Sequence, residues 1–110
     1  MKKLLSPFIK GKFELKNHLV MSPMTRSRAI DNLPNQLMAT YYGERTGAGL
    51  IITEGTAPAP EALGYPRIPG VFSQQQIDGW KLITDKVHRD DSKIFLQLMH
   101  TGRIGHNDNL

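Results

Sequence analysis

The sequence contains no cysteine among its 110 residues. This absence excludes a disulfide framework and any thiolate metal site, and it favours the cytoplasm over an oxidising compartment. No apolar run approaches the ~18 residues of a membrane span, and Pro7 and Lys10 end the first apolar run before the ~7 residues that a secretory signal needs. We therefore expect neither export nor membrane insertion, and no membrane partner.

Glycine-rich phosphate-binding motifs are also missing. Neither GxGxxG nor GxxxxGK[ST] occurs, which excludes the common dinucleotide and P-loop fingerprints. RNA-binding aromatic motifs and helix-turn-helix patterns are absent as well. What is present, 39% hydrophobic and 22% charged residues, suits one globular domain.

The positive charge is concentrated near the start of the chain. Up to Arg28 there are seven Lys or Arg residues against Glu14 alone, while seven basic residues face nine acidic ones in the remainder. A basic arm would suggest nucleic acid. However, the lysines of this region alternate with Phe13 and Leu15, which indicates the solvated face of a strand. We expect no nucleic-acid partner.

Strand and helix patterns alternate along the chain. FIKGKFELK predicts a short hairpin with Gly11 in its turn, and apolar runs predict strands that start near Leu19, Leu50 and Ile94. One helix is predicted from an Asn35 N-cap to about Thr46, with Gly47 as its C-cap.

A second helix follows the proline-rich and glycine-rich loop PAPEALGYPRIPG. Ser73 and Gln76 form a capping box at its predicted start. Apolar residues then recur at spacings of three and four: Ile77, Trp80, Ile83 and Val87.

The order hairpin, β, α, β, α, β predicts an α/β fold with a parallel sheet. Two architectures have this order: an open doubly wound sheet, and the N-terminal portion of a (β/α)8 TIM barrel. A doubly wound nucleotide binder would carry a glycine fingerprint after its first strand, where this chain has Ser22 and Pro23. The barrel is therefore the better interpretation, although three strands are unable to close alone.

Residues with functional potential follow all three predicted strands. Met24 and Thr25 follow the first, residues 54–57 follow the second, and Gln97 lies within IFLQLMH, which we interpret as a buried strand. An amide offers a donor beside an acceptor and matches a pyrimidine-type edge, while the threonine hydroxyl can donate to a ring carbonyl. Alternatively, Gln97 satisfies neighbouring backbone groups.

Other polar and aromatic residues have simpler structural interpretations. Glu54 could be a general base, but a glutamate at a strand end more often pairs with a nearby arginine. The aromatic residues Tyr41, Tyr42 and Trp80 are expected to pack helices onto the sheet. His100 and His106, beside Asp108, fit no common ligand spacing, so we expect no metal site.

Five segments between residues 17 and 103 resemble the Old Yellow Enzyme family, FMN-dependent NAD(P)H:flavin oxidoreductases and ene-reductases, and particularly its N-ethylmaleimide reductase type. The segments are NHLVMSPMTRSRA at 17–29, YYGERTGAGLIITEGT at 41–56, GYPRIPGVFS at 64–73, GWKLITDKVH at 79–88 and KIFLQLMHTGR at 93–103. Because the five occur in the family's order, the resemblance is far more specific than any one of them.

The resemblance implies an FMN site at the ends of the three strands. It places the backbone of Pro23 and Met24 against the flavin and gives Thr25 a hydrogen bond to the flavin O4 carbonyl. Ala57 is a small residue whose main chain approaches O4 and N5. Gln97 reads the pyrimidine edge of the flavin.

Two further positions belong, by resemblance, to the substrate pocket. Tyr65 matches an aromatic position near the substrate. Met99 stands where many relatives have tryptophan, and its flexible thioether leaves that side of the pocket more adaptable.

The reaction that the resemblance implies passes hydride from NAD(P)H through FMN to an electron-poor alkene. The family's proton donor and substrate-binding histidine pair lie beyond residue 110, so no catalytic residue is expected within this chain. Residues 1–110 would form a single incomplete domain, the N-terminal part of an FMN-binding barrel, requiring the missing C-terminal part or self-association. The alternative is a non-catalytic α/β module that self-associates or complements a separate C-terminal chain.

Overall fold

An antiparallel hairpin precedes the main sheet. In the computed structural model, which describes residues 2–105 and residue 108, a short helix α1 (Lys2–Leu5) leads into β1 (Phe8–Lys10) and β2 (Phe13–Leu15). Gly11 occupies the turn with a φ of +62°, a left-handed conformation that costs glycine little. The predicted hairpin is confirmed.

Three parallel strands form the main sheet: β3 (Val20–Met21), β4 (Leu50–Ile52) and β5 (Lys93–Phe95). Their order is β3-β4-β5, with β4 in the centre. Because strands that follow one another in sequence are also neighbours in space, each connecting helix crosses over the sheet once. The predicted parallel β-α-β-α-β arrangement is confirmed.

Both predicted helices form, and both start at the predicted caps. In α2 (Gln36–Gly43), Asn35 accepts a hydrogen bond from the Met38 N–H. In α3 (Gln74–Arg89), Ser73 and Gln76 complete the reciprocal capping box. Each cap satisfies backbone donors that a helix start otherwise leaves free.

The prediction that α2 continues to Thr46 and ends at Gly47 is wrong. The helix ends at Gly43, and the N–H of Arg45 donates to the Tyr42 carbonyl, three residues back instead of four. This tighter bond begins a series of turns that lead directly into β4.

The helices cover one face of the sheet. Ile51, at the centre of β4, is fully buried, and the partly buried side chains Ile94 and Leu96 pack beside it. The buried cluster also includes Ala29, Met38, Ala39, Tyr42, Trp80, Ile83 and Val87. The expected packing role of Tyr42 and Trp80 is confirmed, and Tyr41 packs against the same cluster from a partly buried position.

The opposite face of the sheet is largely open. Val20 is 50% exposed and Phe95 is 51% exposed, and the Phe13 ring of the hairpin lies 6.0 Å from the Phe95 ring. The prediction of a buried strand over residues 94–100 is therefore wrong. Ile94 and Leu96 of this segment pack against the helix-facing cluster, while on the opposite face Phe95 contacts the Phe13 ring.

The long loop after β4 has a small core of its own. Ala57, Leu63 and Ile68 are buried together, and Phe72 and Met99 pack against them. The loop closes on itself because the Ala57 N–H donates to the Pro69 carbonyl and the Val71 N–H donates to the Ala57 carbonyl. Such closure is typical of a compact Ω-loop.

No helix in the described residues is both long enough and apolar enough to cross a membrane.

Candidate functional site

The sequence-predicted site residues lie at one end of the parallel sheet. Pro23, Met24 and Thr25 follow β3, Ala57 follows β4, and Gln97 follows β5. Because the three strands are parallel, their carboxyl ends meet at the same edge of the sheet. The loops therefore place these residues on the side where barrel enzymes bind their ligands.

The pairing of β4 with β5 contains one extra residue on the β4 side. Ile52 pairs with Phe95, and the next bridge joins Thr56 to Leu98. The β4 chain thus advances four residues while its partner advances three, which defines a β-bulge. Bulges are rare in parallel pairs and commonly redirect side chains next to functional sites.

The Thr53 hydroxyl bridges the bulge. Its oxygen accepts a hydrogen bond from the Gln97 N–H at 3.1 Å, and its O–H donates to the Glu54 carbonyl at 3.0 Å. Regular pairing resumes when the Thr56 N–H donates to the Gln97 carbonyl at 2.9 Å. Both backbone polar groups of Gln97 are therefore bound to the segment that follows β4.

The Gln97 side chain is exposed, not buried as the apolar run around it predicts. Its amide has no hydrogen-bond partner among the described residues, and the same is true of the Thr25 hydroxyl. Within the described residues, the Gln97 amide therefore satisfies no neighbouring backbone group. The sheet edge instead presents free hydrogen-bonding groups on two loops.

Ala57 is fully buried and its backbone is bonded on both sides to the Ω-loop. Pro23, Met24 and Thr25 are exposed, and Met24 is 51% exposed. Ala57 is thus tightly held, whereas the loop after β3 is largely uncovered.

Tyr65 and Met99 both belong to the Ω-loop region. Tyr65 is 39% exposed on the loop, and Met99 is partly buried beneath it. A Cβ atom added to Gly55 would lie 2.6 Å from the Met99 sulfur, so Met99 fills the space above the bulge.

Glu54 is 1% exposed and bonds to Tyr42, and the nearby arginine that the sequence predicted beside it is Arg26, which favours its charged form. The Tyr42 hydroxyl donates to the Glu54 carboxylate at 2.6 Å and accepts from the Glu54 N–H at 3.0 Å. Burial raises the pKa of Glu54 above its usual range, although the Tyr42 hydrogen bond and Arg26 act in the opposite direction. Burial and the neighbouring Glu54 carboxylate also raise the pKa of Tyr42.

Neither Thr53 nor the Tyr42–Glu54 pair is marked as part of the site by the sequence pattern. One signal was available, because Gly55 follows an apolar strand and glycine there often marks a bulge. The metal prediction involved His106, which lies outside the described residues. Among the residues that the structure does describe, no group of three possible ligands is clustered.

Comparison with known proteins adds to this geometry. Residues 3–110 match the NADH:flavin oxidoreductase / NADH oxidase family. The chain is 45% identical over 106 residues to 12-oxophytodienoate reductase 1 from Oryza sativa subsp. japonica, covering 96% of this chain and 28% of that protein.

Solved structures agree with the sequence matches. Morphinone reductase in complex with tetrahydroNAD superimposes with a TM-score of 0.88 at 44% identity, over 94% of this chain and 28% of that chain. The Old Yellow Enzyme homologue from Zymomonas mobilis gives 0.86 at 45% identity, over 92% and 29%.

The chain thus spans about 28% of the length of the relatives it matches. Its hairpin and three parallel strands correspond to the N-terminal portion of their barrels, and the expected fold class is confirmed. The chain belongs to the NADH:flavin oxidoreductase / NADH oxidase family, that is, to the Old Yellow Enzyme family.

Proposed function

We propose that residues 1–110 are the N-terminal, flavin-binding part of an FMN-dependent oxidoreductase that moves hydride from NAD(P)H to an electron-poor alkene. In this proposal the chain is one incomplete domain of a (β/α)8 barrel. The observation that supports it best is the presence of free hydrogen-bonding groups on loops at one sheet edge, on a chain 44% identical to a solved reductase that holds tetrahydroNAD.

The available groups fit the polar edge of a flavin. The exposed Gln97 amide supplies both a donor and an acceptor, and the exposed Thr25 hydroxyl supplies a donor. Ala57 is fully buried and both its backbone polar groups are bonded to the Ω-loop, so its place against the ring rests on the family resemblance alone. Pro23 and Met24 would contribute apolar contact to the ring.

FMN, when bound, supplies the hydride chemistry, and the residues of this chain hold and orient it. Tyr65 and Met99 would contact the alkene from the Ω-loop side. No catalytic residue is assigned within residues 1–110, because the family's proton donor and carbonyl-binding histidine pair belong to later strands.

A second candidate function is suggested by the open face of the sheet. Val20 and Phe95 are each about half exposed there, and neither β3 nor β5 has a further neighbouring strand in the described residues. Exposed apolar surface and unpaired strand edges promote association. In this alternative the chain is a non-catalytic module that pairs with a second copy or with a separate C-terminal chain.

Flavin titration tests the first proposal. The 110-residue chain is titrated with FMN alone, and again after mixing with the C-terminal part of morphinone reductase that this chain does not cover. We expect weak or no binding by the chain alone, and stoichiometric FMN with NADPH oxidation in the mixture. A stoichiometric flavin spectrum from the chain alone would show that it needs no partner.

Matched variants assign the effect to the proposed site. Gln97→Ala and Thr25→Ala should each weaken FMN binding in the mixture roughly tenfold, the value of one hydrogen bond to a buried ligand group. Gln75→Ala, which changes an exposed glutamine of α3, should leave the affinity unchanged. Equal losses from Gln97→Ala and Gln75→Ala would contradict the assignment.

Sedimentation that shows a stable dimer without FMN uptake would favour the second candidate.

A further inference from the structure

A cavity of about 150 Å³ lies between α2 and the loop that follows β3. Arg26 and Arg28 of the loop, Met38 and Tyr41 of α2, and Glu54 contribute to its lining. It lies on the helix-covered side of the sheet, because Met38 belongs to the buried cluster there. It is therefore separate from the exposed groups of Gln97 and Thr25.

Two buried polar atoms of this lining lack partners. Glu54 Oε1 and the Tyr41 hydroxyl have no side-chain hydrogen-bond partner among the residues that the structure describes. A buried polar atom without a partner is destabilising, and a charged one is more so. The second carboxylate oxygen of Glu54 is already held by Tyr42, so Oε1 has a fixed position and a free acceptor.

Among the nearby arginines, Arg26 is the available donor. The Arg28 side chain donates to the Arg26 carbonyl at 3.0 Å, and the Arg45 side chain donates to the Tyr41 carbonyl at 3.0 Å. The Arg26 guanidinium lies 4.9 Å from the centre of the Tyr41 ring and is not ion-paired with Glu54 in the structure. Arg26 favours the charged form of Glu54 first through its backbone N–H and then through its charge.

We propose that Glu54 is a positioning residue: its free oxygen receives the Arg26 guanidinium in this cavity, and the resulting pair fixes the loop that carries Pro23, Met24 and Thr25. This inference rests on the proposed function, which places those three residues against the flavin. Thr25 directly precedes Arg26, so the guanidinium contact limits where the Thr25 hydroxyl can point.

The anchoring of the rest of the loop explains why this contact matters. The Ala29 N–H donates to the Arg67 carbonyl at 2.9 Å, and the Asn35 side chain donates to the Arg28 carbonyl at 2.9 Å. These bonds hold the far end of the loop. Residues 22–26, between that anchor and β3, are exposed. In the proposal, Arg26 connects them to the buried Glu54.

Amide hydrogen exchange of the 110-residue chain tests the contact without flavin. Glu54→Gln and Arg26→Met should each speed exchange across residues 22–26 several-fold, and the double variant should add little, because both remove the same interaction. Glu44→Gln changes another glutamate of the cavity, one exposed and paired with Arg45, and should leave that exchange unchanged. Additive effects, or no effect of Arg26→Met, would overturn the proposal. Arg26 is exposed, so its substitution does not threaten the fold.

A flavin-loaded barrel, made by mixing the chain with the C-terminal part of morphinone reductase, gives a second readout. Misplacing the Thr25 hydroxyl should shift the flavin midpoint potential to more negative values in Arg26→Met and Glu54→Gln, with partial recovery in Arg26→Lys. A potential that stays at the wild-type value in Arg26→Met would contradict the positioning role. A wild-type mixture that takes up no FMN would count against the proposed function alone, and the exchange experiment would still decide the Arg26–Glu54 contact.

Discussion

Replacing Thr53 by valine tests whether a side-chain hydroxyl completes the strand pairing at the bulge. Valine has nearly the same shape but cannot accept the hydrogen bond that the Gln97 N–H now donates at 3.1 Å. The Glu54 carbonyl loses the Thr53 hydroxyl but keeps the Thr56 hydroxyl at 3.0 Å. The change therefore leaves the Gln97 N–H without an acceptor, while the Glu54 carbonyl keeps one hydrogen bond.

The expected loss of stability follows from these contacts. An unsatisfied backbone N–H lowers the free energy of unfolding by about 1–3 kcal/mol. The lower half of that range applies because the hydrogen bond from Gln97 is only partly buried. The added methyl group is buried, since Thr53 is 1% exposed, and this returns about 0.8 kcal/mol. The net loss should be about 0.5–1 kcal/mol.

Urea unfolding and amide exchange at Gln97 measure the two parts of this effect. Thr53→Ser keeps the hydroxyl and should leave Gln97 protected, although the lost methyl group costs about 1 kcal/mol. Thr84→Val is a control for the chemical change, because Thr84 bonds only a helix carbonyl, that of Lys81. If Gln97 exchanges equally slowly in Thr53→Val and Thr53→Ser, the hydroxyl does not take part in the pairing.

Three further changes test other parts of the structure by urea unfolding. Tyr42→Phe removes the partner of the Glu54 carboxylate and N–H and should cost about 1–3 kcal/mol. Burial raises the pKa of Glu54, so the native state binds the carboxyl proton more tightly than the unfolded chain does. The free energy of unfolding should therefore rise as the pH falls from the native pKa towards 4.5. Glu54→Gln should remove that rise. Trp80→Phe removes the indole N–H that donates to the Gly70 carbonyl and leaves a small cavity, so it should lower the free energy of unfolding by about 1–3 kcal/mol. A flat pH profile in the wild type, or no change in either aromatic variant, would contradict these assignments.

Local signals in the sequence predicted most of the fold. The Ser73 capping box and the Asn35 cap each involve residues three positions apart, so their chemistry is visible in the sequence itself. The continuous apolar, β-branched run at Leu50 predicted the central strand, and Ile51 at its centre is buried in the helix-facing cluster. The sheet order then followed from the alternation of strands and helices.

Features that depend on distant partners were not predictable in the same way. The segment around Gln97 has the composition of a buried strand, yet its exposure is decided by whether another layer packs on that face of the sheet. The Tyr42–Glu54 pair joins a helix to a strand end, and no spacing rule relates the two positions. Family resemblance pointed to Gln97 and Thr25, whereas Thr53 became evident only from the pairing of β4 with β5.

The bulge explains how one short segment serves both sides of the sheet. In a regular strand, Ile51 and Glu54 would point to opposite faces, because side chains alternate. With the extra residue, Ile51 packs in the helix-facing cluster and Glu54 also bonds α2, through Tyr42. Thr53 meanwhile holds the backbone of Gln97. The same insertion therefore positions the backbone of a proposed flavin contact and brings a buried carboxylate towards the loop that carries the other contacts.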